Sequence, residues 1–142
     1  MTERAGESRA MNVFGTEVLL LADSAETSGA CSVARIACAP GTGAPPHRHA
    51  ETERFHVIRG RLTVRVGDAR ETLDPGDTVT IAPWRVHAFS NESSETVEFI
   101  AVGMPGEHAD FFRDADALAR SGRFNPDTAA EVCRKHGIEL VI

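Results

Sequence analysis

Hydrophobic residues alternate with polar ones over short stretches through most of the chain. Leu62, Val64 and Val66 alternate with a threonine and an arginine, which is the pattern of a half-buried strand. Turn-forming residues bound this and similar runs, for example at Gly60 and at 74–77. Short strands at roughly regular spacing, separated by turns, predict an all-β sandwich or barrel.

The pattern changes after Pro105. Apolar residues then recur at helical spacing, at Phe111, Phe112, Ala115, Leu118 and Ala119. Gly122 is suited to end this helix, and Asn125 followed by Pro126 is suited to begin a second one that stops near Gly137. We therefore expect a loose N-terminal tail over residues 1–11, a β-barrel over 12–104 and a helical appendage over 105–142.

Composition limits the classes of partner. The net charge of −6 argues against a nucleic-acid partner, which needs a basic surface. No apolar stretch approaches membrane-spanning length, so we expect no membrane partner. The three cysteines are odd in number, form no CxxC pair and follow no secretory signal pattern. These features predict reduced thiols in a cytoplasmic protein.

The candidate chemistry lies between Gly41 and Gly60. His47 and His49 are two residues apart, so in an extended chain they project from the same face, and Glu53 shares their parity. Two imidazoles and a carboxylate make most of a divalent metal site. A further ligand must come from elsewhere in the chain.

His87 is the candidate for that ligand, because it follows the turn at Pro83-Trp84 and can return beside His47. Spacing alone does not decide this, and the alternative is that these histidines only pack on strands. His56 has the opposite parity to Glu53 and should face away. His108 at a helix start and His136 near a helix end are not expected to be ligands.

These stretches resemble the cupin superfamily. Its first motif, G(X)5HXH(X)3,4E(X)6G, is matched by Gly41, His47, His49, Glu53 and Gly60. The second motif begins with Gly-Asp and ends with His and Asn, and Gly76-Asp77, His87 and Asn91 match it. The chain departs from the second motif where a Pro and a Gly are usual, since it has Ala82 and Trp84 there.

The resemblance implies a small bacterial cupin, a jelly-roll barrel of antiparallel strands. His47, His49, Glu53 and His87 would converge on one divalent transition metal: Fe, Mn, Ni, Co or Zn. The identity of the metal stays open. Cupins commonly dimerise, so we expect a homodimer.

We expect the substrate pocket to involve Phe55, Val57, Phe89 and Phe99 on inward-facing positions, although such residues also serve as plain core. Trp84 either shapes the pocket or packs as a plug at the barrel mouth. Glu53 is the one evident catalytic base, and it could shift between ligand and base roles.

Three functions follow as hypotheses. The first is a metal-dependent dioxygenase or other oxygenase acting on a small, partly apolar organic substrate. The second is a non-redox metal enzyme, namely an isomerase, a lyase or a polyketide-type cyclase. The third is a cupin that binds a small molecule without turning it over.

Overall fold

The computed structural model describes residues 2, 4 and 9–141. Within these residues the chain forms eleven strands and two helices. The strands are β1 (Met11–Val13), β2 (Thr16–Ala22), β3 (Ser32–Cys38), β4 (Gly43–Arg48), β5 (Thr52–Arg59), β6 (Leu62–Val66), β7 (Ala69–Leu73), β8 (Thr78–Ile81), β9 (His87–Ser90), β10 (Val97–Met104) and β11 (Glu139–Leu140). The helices are α1 (His108–Ser121) and α2 (Pro126–Lys135).

The strands form two sheets. One has six strands in the order β1-β2-β3-β10-β5-β8, and the other has five in the order β11-β4-β9-β6-β7. Every paired set of neighbours is antiparallel. The predicted fold class, an antiparallel β-barrel with two C-terminal helices, is confirmed.

The core lies between the two sheets, because alternate residues of the central strands are buried. In β3, β5 and β10 buried positions alternate with more exposed ones, as the period of two requires. Three phenylalanine rings fill the middle, with centroids 5.0 Å apart for Phe55 and Phe99 and 5.3 Å apart for Phe89 and Phe99. This aromatic cluster forms the floor beneath the site described below.

The two helices begin and end near the residues that the sequence predicts. Gly122 ends α1 with a φ of 74°, a left-handed conformation that glycine adopts without strain. Asn125 and Thr128 form a reciprocal capping box at the start of α2, with Pro126 in its first turn. Neither helix, within the described residues, combines the length and apolarity needed to cross a membrane.

The C-terminal segment does more than add helices. β11 follows α2 and pairs with β4, with Leu140 opposite His47. The sequence analysis did not predict this strand, because two residues carry no recognisable alternation. The pairing returns the end of the chain to the strand that bears His47, so α1 and α2 are tied to the barrel at both ends.

Candidate metal centre

The structure brings together the four residues predicted as metal ligands. His47 lies on β4, His49 just after it, Glu53 on β5 and His87 at the start of β9. The register of β4 and β9 places His47 directly opposite His87, and their rings are 4.2 Å apart. One potential ligand atom from each of the four residues lies within 4.8 Å of the others. The cluster can therefore hold one metal ion.

A backbone carbonyl two residues away fixes each imidazole. The Nδ1–H groups donate to these carbonyl oxygens: His47 to Pro45 at 2.8 Å, His87 to Arg85 at 2.8 Å and His49 to Glu51 at 3.1 Å. A carbonyl oxygen only accepts, so the proton of each neutral ring lies on Nδ1. The Nε2 atoms of His49 and His87 then face Glu53, and a second group on Nδ1 is the arrangement that orients histidine ligands.

Glu53 supplies the negative charge of the cluster. Its Oε1 lies 2.8 Å from His49 Nε2 and 3.1 Å from His87 Nε2. Burial by itself raises the pKa of this carboxyl, but the charge of His108 and the two histidine contacts outweigh it and hold the pKa well below its usual value. Glu53 is thus ionised at neutral pH.

His47 is uncharged at neutral pH. Desolvation of its ring, followed by the charge of His87, lowers the pKa of His47 to about 4. A neutral imidazole and an ionised carboxylate are the protonation states that metal ligation requires. The donor set therefore fits a divalent transition metal in its chemistry as well as in its geometry.

A cavity of about 260 Å³ opens beside the cluster. Its polar end is formed by His47, Glu53 and His108. The barrel contributes apolar wall residues that include Val18, Ile36, Phe55 and Phe89, and the C-terminal segment contributes Phe111, Phe112, Ala129, Cys133, Ile138 and Leu140. The C-terminal helices thus lie against the cavity and form one of its walls.

Two of the predicted pocket residues, Phe55 and Phe89, line this cavity, whereas Val57 and Phe99 do not. Both of the latter have 0% exposure and lie in the core, behind the ring cluster that closes the floor. Strand parity identified their inward direction but not the depth at which the cavity ends. Their assignment as pocket residues is corrected to core packing.

Trp84 does not line the cavity either, and it is 50% exposed. Its backbone has a φ of 63°, and its N–H donates to His49 O at 2.8 Å. This left-handed conformation explains why a glycine is usual at this position of the motif. The backbone of Trp84 anchors the ligand-bearing loop, and the predicted role of its indole ring in the pocket is corrected.

Sequence reasoning missed two residues, His108 and Glu51. Both are buried, and Glu51 Oε2 lies 2.8 Å from His108 Nδ1. The two groups therefore make a close charge contact in the interior of the protein. Glu51 shares the parity of His49 and Glu53, which could have indicated it, but no local pattern links residue 108 to the barrel.

His108 also approaches the ligand cluster itself. Its Nε2 lies 3.9 Å from Glu53 Oε2, and its ring centroid is 4.6 Å from that of His49. Burial by itself lowers the pKa of His108, but the carboxylates of Glu53 and Glu51 outweigh it and raise the pKa. The imidazole of His108 therefore lies between two buried carboxylates, beside the four candidate metal ligands.

The fold and the site agree with comparisons to known proteins. Residues 34–103, about half of the chain, match the family model described as Cupin domain. The chain belongs to the cupin superfamily. All four clustered residues of this cupin lie within the matched region, whereas His108 lies outside it.

Solved structures show the same fold at low sequence identity. The polyketide cyclase RemF from Streptomyces resistomycificus aligns with a TM-score of 0.64 and 20% identity, over 73% of this chain and 80% of that one. A predicted oxalate decarboxylase from Thermotoga maritima aligns with a TM-score of 0.63 and 24% identity, over 74% of this chain and 99% of that one.

One curated protein resembles part of the cupin more closely in sequence. Oxidoreductase OpS7 from Beauveria bassiana (strain ARSEF 2860) is 47% identical over 49 residues, which are 33% of this chain. The match spans only 16% of that protein's own length.

Proposed function

We propose that this cupin is a metal-dependent enzyme that acts on a small, partly apolar organic molecule. The observation that carries the proposal is the position of the four clustered residues at the polar end of an otherwise apolar cavity. A six-coordinate ion held by these four residues would have two further positions for water, substrate or dioxygen. A bound ion of Fe, Mn, Ni, Co or Zn would supply Lewis-acid or, for the redox-active metals, electron-transfer chemistry.

The chain's own residues hold and enclose the reacting molecule. Hydrogen bonds from Nδ1 fix the three imidazoles, and the ionised Glu53 provides the negative charge that retains a divalent ion. Glu53 Oε2 faces His108 rather than the other histidines, and it stays the proposed proton acceptor, although its low pKa makes it a weak base. The phenylalanine walls favour apolar groups over water in the cavity.

The first reaction class proposed is that of an oxygenase, most specifically a dioxygenase. The apolar cavity suits a substrate with little hydrogen-bonding capacity, together with dioxygen, which is itself apolar. The partial likeness to a protein named an oxidoreductase supports the same class.

The second class is a non-redox lyase, isomerase or polyketide-type cyclase. It is favoured by the buried pair of His108 and Glu51, since an imidazole beside the metal cluster can move protons without any change in oxidation state. The fold-level neighbours named as a polyketide cyclase and a predicted oxalate decarboxylase have the same architecture. The remaining alternative is small-molecule binding without turnover.

Metal content is the first test. We expect protein purified without added metal to contain close to one transition-metal ion per chain by elemental analysis. The His49→Ala variant should lose that ion, and the matched His56→Ala variant should keep it, because His56 is exposed and bonds to Thr78. An equal metal content in both variants would reject the site.

Dioxygen dependence then separates the two reaction classes. For an oxygenase, turnover of a given substrate by the metal-loaded protein stops under anaerobic conditions and consumes dioxygen in air. Equal turnover with and without dioxygen favours the lyase, isomerase or cyclase class. Saturable binding without turnover in either condition would favour the third hypothesis, a protein that binds a small molecule without converting it.

Other partners stay predictions. We propose a homodimer in solution, since strands at the sheet edges such as β7 and β8 each pair with one neighbour among the described strands. Light scattering gives the mass of the particle directly, and a mass of one chain would contradict the dimer.

A further inference from the structure

One wall of the cavity that lies outside the matched cupin region comes from the C-terminal segment, α1 to β11. We propose that this segment makes the site selective for molecules of about one or two fused rings that are apolar except for one oxygen-bearing end. We further propose that His108 contacts that end. Both statements rest on the proposed function, because they describe the substrate of the same site.

The size limit follows from the cavity volume of about 260 Å³. A dry protein cavity of about 150 Å³ accommodates benzene, so this volume encloses one ring or two fused rings, and a third ring would extend beyond it. It also lies just below the roughly 300–1,000 Å³ that is usual for pockets holding drug-sized ligands. A larger planar substrate would require α1 or α2 to move.

The polarity limit follows from the walls. Away from the polar end, the barrel offers aromatic and aliphatic side chains, and the hydroxyl of Thr16 is already used in a hydrogen bond to Val13 O at 2.8 Å. The facing wall carries Phe111 and Phe112. A polyol buried here would leave hydroxyl groups without partners, which is unfavourable, so sugars are excluded as substrates.

The polar end leaves one nitrogen of His108 without a hydrogen-bond partner. Its Nδ1 is enclosed by protein and lies 2.8 Å from Glu51 Oε2. Its Nε2 is 3.9 Å from Glu53 Oε2, which is too long for a hydrogen bond. The residue is only 5% exposed and lines the cavity. The Nε2 atom of His108 is therefore free to contact an oxygen of a molecule bound in the cavity.

The position of His108 depends on the segment that carries it. It is the first residue of α1, and a Cβ placed on Gly103 would lie 3.2 Å from His108 Nδ1 and 3.1 Å from Ser32 Oγ. Glycine at position 103 therefore leaves room for the imidazole of His108 beside the four candidate metal ligands. This offers a way to displace His108 without removing it.

The test of size and polarity uses four carboxylates that differ only in the body they carry. Binding of benzoate, 2-naphthoate, anthracene-2-carboxylate and glucuronate to the Zn-loaded protein is measured by calorimetry. We expect the first two to bind, and the last two to bind at least ten-fold more weakly than 2-naphthoate. Equal affinity for anthracene-2-carboxylate or glucuronate would overturn the size or the polarity limit.

A pair of variants on α2 tests the wall. Ala129 lines the cavity, and Glu131 on the same helix is exposed. Ala129→Phe should weaken 2-naphthoate binding at least ten-fold, whereas Glu131→Phe should bind as the unmodified protein does. Unchanged binding in Ala129→Phe would show that the ligand does not occupy this cavity.

The contact with His108 is tested by pairing a variant with a ligand change. His108→Phe should weaken 2-naphthoate at least ten-fold but leave 2-methylnaphthalene, which has no carboxylate, within two-fold. Gly103→Ala, which keeps the histidine but displaces it, should act in the same direction. If both variants lost affinity equally for both ligands, His108 would only shape the cavity, and the proposed contact with the oxygen-bearing end would be wrong.

These measurements separate the proposal from the function on which it rests. Metal content is determined on every sample, and binding is repeated on metal-free protein. A protein that takes up zinc but fails to discriminate the carboxylates contradicts only the selectivity. A protein that discriminates them without holding metal contradicts only the metal-dependent function.

Discussion

Asn91 ends the second motif and shows how a single buried side chain can be structural rather than catalytic. Its Nδ2 donates to Cys38 O at 2.9 Å and to Glu95 O at 2.6 Å. Its Oδ1 accepts from the backbone N–H and the hydroxyl of Ser93 at 2.9 and 2.7 Å. These four hydrogen bonds use both donors and both acceptor positions of the amide. Asn91 therefore joins the end of β9 to the end of β3 and to the turn at residues 91–95.

Replacement of Asn91 by alanine is therefore expected to lower the free energy of unfolding by about 2–3 kcal/mol, because buried carbonyl groups lose their donors. Chemical denaturation provides the measurement. Ser94→Ala, an exposed change in the same loop, should shift stability by less than about 0.5 kcal/mol. A loss of metal without a loss of stability in Asn91→Ala would point to a role in the site instead.

At the scale of elements, the approach of β4 to β9 depends on one glycine. A Cβ at Gly43 would lie 2.1 Å from Phe89 O and 2.7 Å from the Cα of Ser90, and both atoms belong to the backbone. The same two strands carry His47 and His87, so a displacement of β4 would also change the distance between the two imidazoles.

Gly43→Ala is expected to destabilise the protein by more than about 2 kcal/mol and to weaken zinc binding, since β4 must move away from β9. Gly76→Ala is the matched control. Its Cβ meets nothing within 4 Å, but its φ is +94°, so only backbone strain of about 1 kcal/mol applies. Thermal unfolding and zinc titration of both variants give the comparison, and equal effects would contradict the steric explanation.

Asp116 joins α1 to the first strand. Its carboxylate accepts from Asn12 N at 3.0 Å and from Arg9 at 3.0 Å, and Arg120 lies 3.2 Å away. Burial by itself raises the pKa of Asp116, but these partners outweigh it and hold the pKa below the usual 3.8.

A carboxyl whose pKa is depressed in the folded state stabilises the protein above pH 3.8, and this contribution is lost as the pH falls through the folded value. We expect Asp116→Asn to lower the free energy of unfolding by about 1–2 kcal/mol at pH 7, with the difference shrinking below about pH 4. Asp110→Asn, on the exposed side of α1, should have little effect at any pH. A difference that grows on acidification would reverse the sign of the argument.

At the scale of the whole molecule, stability should follow position in the sheets. β10 pairs with β3 on one side and β5 on the other, whereas β11 is a two-residue edge strand that, among the described strands, pairs only with β4. Native-state hydrogen exchange should therefore be slowest in β10 and fastest in β11. Protection of β11 equal to that of β10 would mean that the C-terminal segment opens only with global unfolding. The division at residues 104 and 105 into a barrel and an appendage stays a prediction that the same data address.

The sequence determined the features that depend on local periodicity. Alternation in β6 predicted a strand, and the capping residues around Asn125 placed the start of α2. The spacing of His47, His49 and Glu53 indicated a shared face, since side-chain direction in an extended chain depends only on residue parity. A local rule is sufficient for each of these, because the residues involved are close neighbours in the chain.

The tertiary structure decided the features that depend on distant contacts. Parity gave the direction of Val57 and Phe99 but not the depth of the cavity, which the packing of three rings sets. The position of His108 depends on how α1 crosses the barrel, and the pairing of β11 depends on where α2 ends. No local period encodes either one, because both arise from side chains that are far apart in sequence and meet only when the helices pack. The cluster of four residues was therefore foreseen from the sequence, whereas its neighbour His108 and the wall of the cavity were not.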